Sequence, residues 1–121
     1  MSAVCRVLVV EDDADIRSMV ALTLEGEGYA VTLAKNGREG LAAVAASPPD
    51  LILLDMRMPG VDGWGFCRAL REEHGSTVPV VIMTAAQDAV AWVAEVGAQG
   101  LVVKPFDLRD LLAAVARFRL P

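Results

Sequence analysis

Aromatic residues and cysteines are scarce in this sequence of 121 residues. Aromatic side chains make up 5% of the chain and cysteine occurs only as Cys5 and Cys67, against 55% apolar and 22% charged residues. The apolar share suffices for one packed core, which Ala, Val and Leu must therefore fill. The two cysteines stand far apart and form no CxxC pair, so we expect a reduced, cytoplasmic protein with two half-buried thiols. Cys67 falls on the apolar side of its helix, which indicates a place in the core.

The sequence also lacks a surplus of basic residues and a long apolar run. Sixteen acidic residues against 11 basic ones leave a net charge of −5, which disfavours direct binding to a nucleic acid. No apolar run approaches the roughly 18 to 20 residues of a membrane-spanning helix. The first residues do not have the pattern of a signal peptide. We therefore expect a single domain over residues 1–121, with no membrane segment and no second domain in this chain.

Short apolar runs alternate with amphipathic segments along the chain. Strands are predicted over Arg6–Val10, Ala30–Leu33, Leu51–Leu54, Val80–Met83 and Leu101–Val103. Helices are predicted over Ala14–Glu25, from an Asn36 cap to Ala46, around Phe66, Cys67 and Leu70, over Gln87–Val96, and after an Asp107 cap with Leu108, Leu111, Leu112 and Val115 on one face. Five repeats of strand and helix predict an α/β fold, with a parallel sheet between two layers of helices.

Polar residues stand where the apolar strands end. Glu11 and Asp12 follow the first strand, Asp55 the third, Thr84 the fourth and Lys104 the fifth. Because open α/β sheets bind ligands outside the carboxyl ends of their strands, these groups are expected at one rim. Carboxylates gathered there repel one another, and a hard divalent cation such as Mg²⁺ would offset the repulsion.

These groups are suited to phosphoryl transfer. Asp55 can act as a nucleophile towards phosphorus, because carboxylates form acyl phosphates. The metal and Lys104 would neutralise charge on the moving phosphoryl oxygens. Thr84 can donate a hydrogen bond to one of those oxygens.

Four stretches carry a resemblance to a known family. They are VVEDD at 9–13, LDMRMPGVDG at 54–63, MTA at 83–85 and VKPF at 103–106. In this order and spacing, the chain resembles the receiver domain of the response regulators of two-component signalling, over nearly all of residues 5–118. The resemblance implies a flavodoxin-like, doubly wound (βα)5 fold whose five parallel strands have the order 2-1-3-4-5.

The resemblance also implies roles for the residues at the rim. Asp55 would accept a phosphoryl group from a histidine kinase or a histidine phosphotransfer protein, and Thr84 and Lys104 would contact that group. The Lys104–Pro105 peptide bond would be cis. The ligands implied for Mg²⁺ or Mn²⁺ are Glu11, Asp12, Asp55 and the backbone carbonyl of Arg57. A receiver of this kind is a signalling switch that catalyses only its own phosphotransfer and dephosphorylation.

The helix predicted over Gln87–Val96 has only two charged residues, Asp88 and Glu95. It cannot present a full polar face, and an exposed apolar strip there would indicate a protein interface. In the family this helix, the fifth strand and the last helix form the face that meets partners or a second copy. The residues that we assign to this face are Val90, Ala94, Leu101 and Val103. Leu101 also stands where many receivers carry Tyr or Phe, so the aromatic partner of Thr84 in those receivers is missing here.

Two other functions fit parts of the pattern. A small Mg²⁺-dependent hydrolase or phosphatase with an aspartyl-phosphate intermediate often carries a second aspartate two residues after the nucleophile, where this chain has Arg57. Ala86, two residues after Thr84, is likewise neither an acid nor an amide. A flavodoxin would need a phosphate-binding loop after the first strand, where this chain has three acids and no glycine-rich motif.

Overall fold

The computed structural model describes residues 5–74, 78–85 and 89–118. The strands are β1 (Arg6–Val10), β2 (Ala30–Ala34), β3 (Leu51–Asp55), β4 (Val80–Thr84) and β5 (Gly100–Val103). The helices are α1 (Ala14–Gly26), α2 (Gly37–Ala46), α3 (Gly63–His74), α4 (Ala89–Val96) and α5 (Leu108–Ala116). The predicted order of elements is confirmed. Ala86 and the predicted start of α4 at Gln87 lie outside the described residues.

The strands form one parallel sheet in the order β2-β1-β3-β4-β5, so the predicted flavodoxin-like topology is confirmed. β1 pairs with β2 on one side and with β3 on the other, and the strand order reverses between them. Val10 lies opposite Leu54 in this pairing. The residues that follow β1 therefore meet the last residue of β3, Asp55, at the switch point where open α/β sheets bind ligands.

The central strands are buried on both faces, which explains why their sequences are continuously apolar. Residues 7–10, 51–54 and 80–83 are at most 2% exposed. Alternate side chains point to the two sides of the sheet. One side packs against Phe66 and Leu70 of α3, and the other against Leu24 of α1 and Leu111 of α5.

Side chains cap the starts of α1, α2 and α5. Asp13 accepts hydrogen bonds from the backbone N–H groups of Asp15 and Ile16 at the start of α1. Asn36 and Asp107 cap α2 and α5 in the same way. Because each cap satisfies backbone donors that the first helical turn leaves unpaired, the caps fix where the helices begin.

The apolar face predicted for α5 is not buried along its whole length. Leu111 and Val115 are 0% exposed, whereas Leu108 is 44% exposed. Leu108 is the first residue of α5 and lies one turn before Leu111, so it forms part of the surface rather than of the core.

The two cysteines are buried, rather than half-buried as expected, on opposite sides of the sheet, and no disulfide joins them. Burial raises the pKa of the Cys67 thiol to about 11. The Cys67 thiol therefore stays protonated and unreactive at neutral pH, and its predicted place in the core is confirmed. None of the helices within the described ranges has the length and apolar composition needed to cross a bilayer.

Candidate functional site

Three acidic side chains meet at the carboxyl ends of β1 and β3. Glu11, Asp12 and Asp55 each offer a carboxylate oxygen, and these oxygens lie within 4.8 Å of one another. Glu11 and Asp12 follow β1, and Asp55 is the last residue of the neighbouring strand β3. The predicted gathering of acids at one rim is thus present in the structure.

The three acids differ in burial. Glu11 is 0% and Asp55 5% exposed, whereas Asp12 is exposed to solvent. A buried carboxylate requires a cation or hydrogen-bond donors close by. Lys104 supplies the cation, because its Nζ lies 2.6 Å from Glu11 Oε1 and 3.6 Å from Asp55 Oδ2. The strand-end pattern in the sequence predicts Lys104 at the rim, but it does not predict the ion pair with Glu11.

Backbone contacts hold Lys104 and Thr84 beside Asp55. The backbone N–H of Lys104 donates to the carbonyl of Thr84 at 2.8 Å, which joins the ends of β5 and β4. The Lys104–Pro105 bond is cis, as the resemblance implied. Thr84 is 2% exposed. A surface cavity of about 340 Å³ over the site is lined by Asp55, Arg57, Thr84, Ala85 and Lys104.

The loop after β3 is closed tightly by glycines. Gly60 has a φ of +78°, a conformation that favours glycine. A Cβ atom on Gly63 would lie 2.7 Å from the Cα of Met56, so only glycine allows this approach. The N–H of Gly63 donates to the carbonyl of Met56 at 3.0 Å. These contacts fold the loop back on itself and hold Arg57 beside Asp55.

The surroundings of Asp55 raise the pKa of its carboxyl from 3.8 to about 7. Burial is the largest cause, and a hydrogen bond with Glu11 and the negative charge of Glu11 add to it. Lys104 and the N–H of Arg57, which donates to Asp55 Oδ1 at 3.2 Å, act in the opposite direction. Near neutral pH the carboxyl of Asp55 is therefore partly protonated, so its surroundings favour additional positive charge, which a divalent cation can supply.

An aromatic cluster beside the site was not foreseen from the sequence. The rings of Trp64 in α3 and Trp92 in α4 make an edge contact with centroids 4.7 Å apart. Trp64 Nε1 donates to Glu95 Oε2 at 3.2 Å. The Arg57 guanidinium carbon lies 5.3 Å from the centroid of the Trp92 ring. The contact depends on how α3 packs against α4, which no local sequence pattern specifies.

The residues predicted for an interface are exposed to different degrees. Val90 is 75% and Val103 52% exposed, and Ala94 is exposed as well. Leu101 is half-buried and packs against the core cluster of α3. The apolar surface on this side of the domain therefore comes from Val90, Ala94 and Val103, with a smaller part from Leu101.

Comparison with known proteins finds similarity over nearly the whole chain. The family model described as the response regulator receiver domain matches residues 7–116. The chain is 43% identical over 117 residues to the DNA-binding response regulator MtrA of Mycolicibacterium paratuberculosis, covering 94% of this chain and 51% of that protein. It is 45% identical over 111 residues to the transcriptional regulatory protein CseB of Streptomyces coelicolor, covering 90% and 47%. The chain spans about half the length of these relatives.

Solved structures agree with the sequence comparisons. The chemotaxis response regulator CheY4 of Vibrio cholerae superposes with a TM-score of 0.89 at 34% identity, covering 96% of this chain and 99% of that chain. The receiver domain of the Francisella response regulator 1452 superposes with a TM-score of 0.86 at 28% identity, covering 95% and 96%. Together with the strand order and the acidic rim, these similarities show that the chain belongs to the response regulator receiver domain family, the phosphorylation-controlled switches of two-component signalling.

Proposed function

We propose that Asp55 of this domain accepts a phosphoryl group in a Mg²⁺-dependent reaction. The proposed donor is the phosphohistidine of a histidine kinase or of a histidine phosphotransfer protein. The observation that carries the proposal is the setting of Asp55, which ends a central strand with two further carboxylates within 4.8 Å and the Lys104 ammonium group at 3.6 Å.

In the proposed transfer, an oxygen of Asp55 forms a bond to phosphorus while the phosphorus–nitrogen bond of the donor breaks. The electron pair of that bond returns to the imidazole of the donor. Lys104 balances part of the arriving negative charge, because its ammonium group already lies at ion-pair distance from Asp55. Thr84 lines the same cavity, from which its hydroxyl can donate to a phosphoryl oxygen.

The donor set at the rim fits a hard divalent cation, which prefers oxygen ligands. The ligands that we propose for Mg²⁺ or Mn²⁺ are Glu11, Asp12, Asp55 and the backbone carbonyl of Arg57. Such an ion supplies positive charge that stabilises the phosphoryl oxygens. Glu11 already has Lys104 as its cation at 2.6 Å. We therefore expect Asp12 and Asp55 to bind the metal directly and Glu11 to bind it through water.

Replacing Asp12 should weaken the binding of Mg²⁺. We expect Asp12→Asn to raise the dissociation constant for Mg²⁺ by about tenfold or more, because the variant loses one anionic ligand. Tryptophan fluorescence or calorimetric titration measures the constant. Asp13→Asn is the matched control, since asparagine caps a helix as well as aspartate does and Asp13 points to the start of α1. A titration in which the two variants behave alike would count against Asp12 as a ligand.

A phosphatase that acts on other molecules is the weaker proposal. Phosphatases of this kind often carry a second aspartate two residues after the nucleophile. This chain has Arg57 at that position, and the guanidinium group of Arg57 lies against Trp92. A guanidinium group cannot accept a proton from an attacking water. We therefore infer that the domain catalyses only its own phosphorylation and dephosphorylation.

We further propose that the face formed by α4, β5 and α5 meets an output partner or a second copy of the domain. Val90 and Val103 expose 75% and 52% of their surface there. Glu95 is the only charged residue of α4 over Ala89–Val96, and its carboxylate accepts a hydrogen bond from Trp64. The other exposed residues of α4, which are Val90, Ala91 and Ala94, are apolar, and this favours their burial against a protein.

A charge on this face should weaken association without affecting phosphorylation. We expect Val90→Glu to raise the dissociation constant of the phosphorylated complex by about tenfold, since it forces a carboxylate into an apolar contact. Leu22→Glu is the control, because Leu22 is 72% exposed on α1. Analytical ultracentrifugation with Mg²⁺ and beryllofluoride measures self-association. A beryllofluoride form that stays monomeric, with unchanged amide exchange over α4 and β5, would refute the assignment of this face.

A further inference from the structure

We propose that the Arg57 side chain responds to phosphorylation: it lies against Trp92 in the unphosphorylated domain and turns to the phosphoryl group on Asp55. The contacts that Trp92 and Glu95 of α4 make with Trp64 of α3 would then change as well, and the position of α4 would change with them. The inference rests on the proposed phosphorylation of Asp55 and extends it by assigning the residue that senses the phosphoryl group.

Arg57 lies between two environments. Its backbone N–H donates to Asp55 Oδ1 at 3.2 Å, so its main chain is held at the phosphoacceptor. Its side chain is exposed and lines the cavity of about 340 Å³ over Asp55. It also lines a neighbouring cavity of about 410 Å³ together with Trp64. A rotation of the side chain about its own bonds can therefore move the guanidinium group from one partner to the other.

The two partners differ in how strongly they attract a guanidinium group. The face of Trp92 attracts the group by a cation–π contact, which is weak at an exposed site. A phosphoryl group carries nearly two negative charges at neutral pH and offers three acceptor oxygens. Charge-assisted hydrogen bonds to such oxygens are about twice as strong as neutral ones, and the planar fork of arginine matches their geometry. Phosphorylation should therefore draw Arg57 away from the ring.

If the Arg57 side chain leaves the Trp92 ring, the contacts that hold α4 to the rest of the domain change. Trp92 and Glu95 lie one turn apart on α4 and both contact Trp64 of α3. At the end of α4, the Arg71 guanidinium group of α3 donates to the carbonyl of Val96. The Arg57 contact thus attaches α4 to the phosphoacceptor loop, in addition to the contacts that α4 makes with α3. Its release would alter the position or mobility of the helix that carries Val90.

The side-chain Nε–Hε resonance of Arg57 tests this inference. In the free domain the ring current of Trp92 should shift the signal upfield, and Trp92→Leu should return it to the range of exposed arginines. Arg57→Lys removes the signal and so assigns it. When Mg²⁺ and beryllofluoride are added to the wild type, we expect the signal to move downfield as the new hydrogen bond forms.

The same spectra separate failure of the inference from failure of the proposed function. If the backbone amides around Asp55 respond to beryllofluoride but the Arg57 signal does not move, the inference is overturned and the phosphorylation of Asp55 stands. If those amides do not respond at all, the proposed function fails and the inference fails with it.

A binding measurement provides a second test. Trp92→Leu removes the ring that competes for Arg57, so it should tighten beryllofluoride binding about two- to fivefold, the factor that corresponds to an exposed cation–π contact. Trp64→Phe is the control, because it leaves the contact between Arg57 and Trp92 in place, and we expect its affinity to match the wild type. Equal affinities of Trp92→Leu and the wild type would contradict the inference.

Discussion

Asp55→Asn should abolish labelling of the domain by small phosphodonors. Asparagine keeps the shape of the side chain but lacks the anionic oxygen that attacks phosphorus. Asp55 is the acid that ends β3, and it has Lys104 at 3.6 Å and the carboxylates of Glu11 and Asp12 within reach. Intact-mass measurement after incubation with acetyl phosphate and Mg²⁺ should find one added phosphoryl group on the wild type and none on the variant.

Asp13→Asn should be labelled to the same extent as the wild type, because Asp13 accepts hydrogen bonds from the start of α1 instead of facing Asp55. This control separates loss of the acceptor from a general loss of negative charge. Labelling of the Asp55→Asn variant at the wild-type level would show that another residue accepts the phosphoryl group.

The Asp55→Asn variant should also be more stable than the wild type above neutral pH, which would establish that it is folded. The carboxyl of Asp55 has a pKa of about 7 in the metal-free domain, against 3.8 in an unfolded chain. The folded state therefore binds more protons between these values, and its stability falls as the pH rises through this range. We expect the variant to gain about 2 kcal/mol at pH 8, roughly half of what the full pKa change gives because water reaches the rim. This gain should vanish near pH 4.

Lys104→Met should destabilise the metal-free domain strongly. The Lys104 side chain is 17% exposed and pairs with Glu11, which is 0% exposed. Removing one partner of a buried ion pair leaves the other charge without compensation, and the free energy of unfolding should fall by about 3 kcal/mol at neutral pH. The loss should shrink as the pH falls below about 7, where the carboxyl of Asp55 binds a proton and the negative charge at the rim decreases. Urea denaturation in the presence of a chelator measures both values.

Lys35→Met is the matched control for this loss. Lys35 also pairs with a glutamate, at 3.8 Å from Glu39, but the two side chains are 65% and 46% exposed. An exposed pair of this kind contributes little, so its removal should cost well under 1 kcal/mol. Adding Mg²⁺ should restore part of the stability of Lys104→Met, because the ion binds the folded rim. Similar losses in the two variants would contradict the view that Lys104 compensates a buried charge.

Much of the fold could be predicted from the sequence because the local apolar patterns match the burial of the strands in the sheet. The runs at 7–10, 51–54 and 80–83 are apolar without interruption, as expected of strands covered on both faces. Asn36 and Asp107 were predicted as caps, and their side chains accept hydrogen bonds from the first turns. The rim could be predicted as well, since parallel strands bring their carboxyl ends to one edge.

Features that depend on packing between distant segments could not be predicted. The ion pair of Lys104 with Glu11 joins residues that are 93 positions apart, and its distance follows from how β5 and β1 sit in the sheet. The contact of Trp64 with Trp92 requires the packing of α3 on α4. Leu108 followed the apolar period of α5, but it stands one turn before the residues that reach the core.

Borohydride trapping tests the phosphorylation of Asp55 most directly. Reduction of an acyl phosphate on aspartate gives homoserine, which peptide mass mapping locates in the chain. After incubation with a phosphodonor and Mg²⁺, we expect homoserine at position 55, and we expect none when a chelator replaces Mg²⁺. Homoserine at another aspartate, or equal conversion at position 55 with and without the metal, would contradict a Mg²⁺-dependent transfer to Asp55.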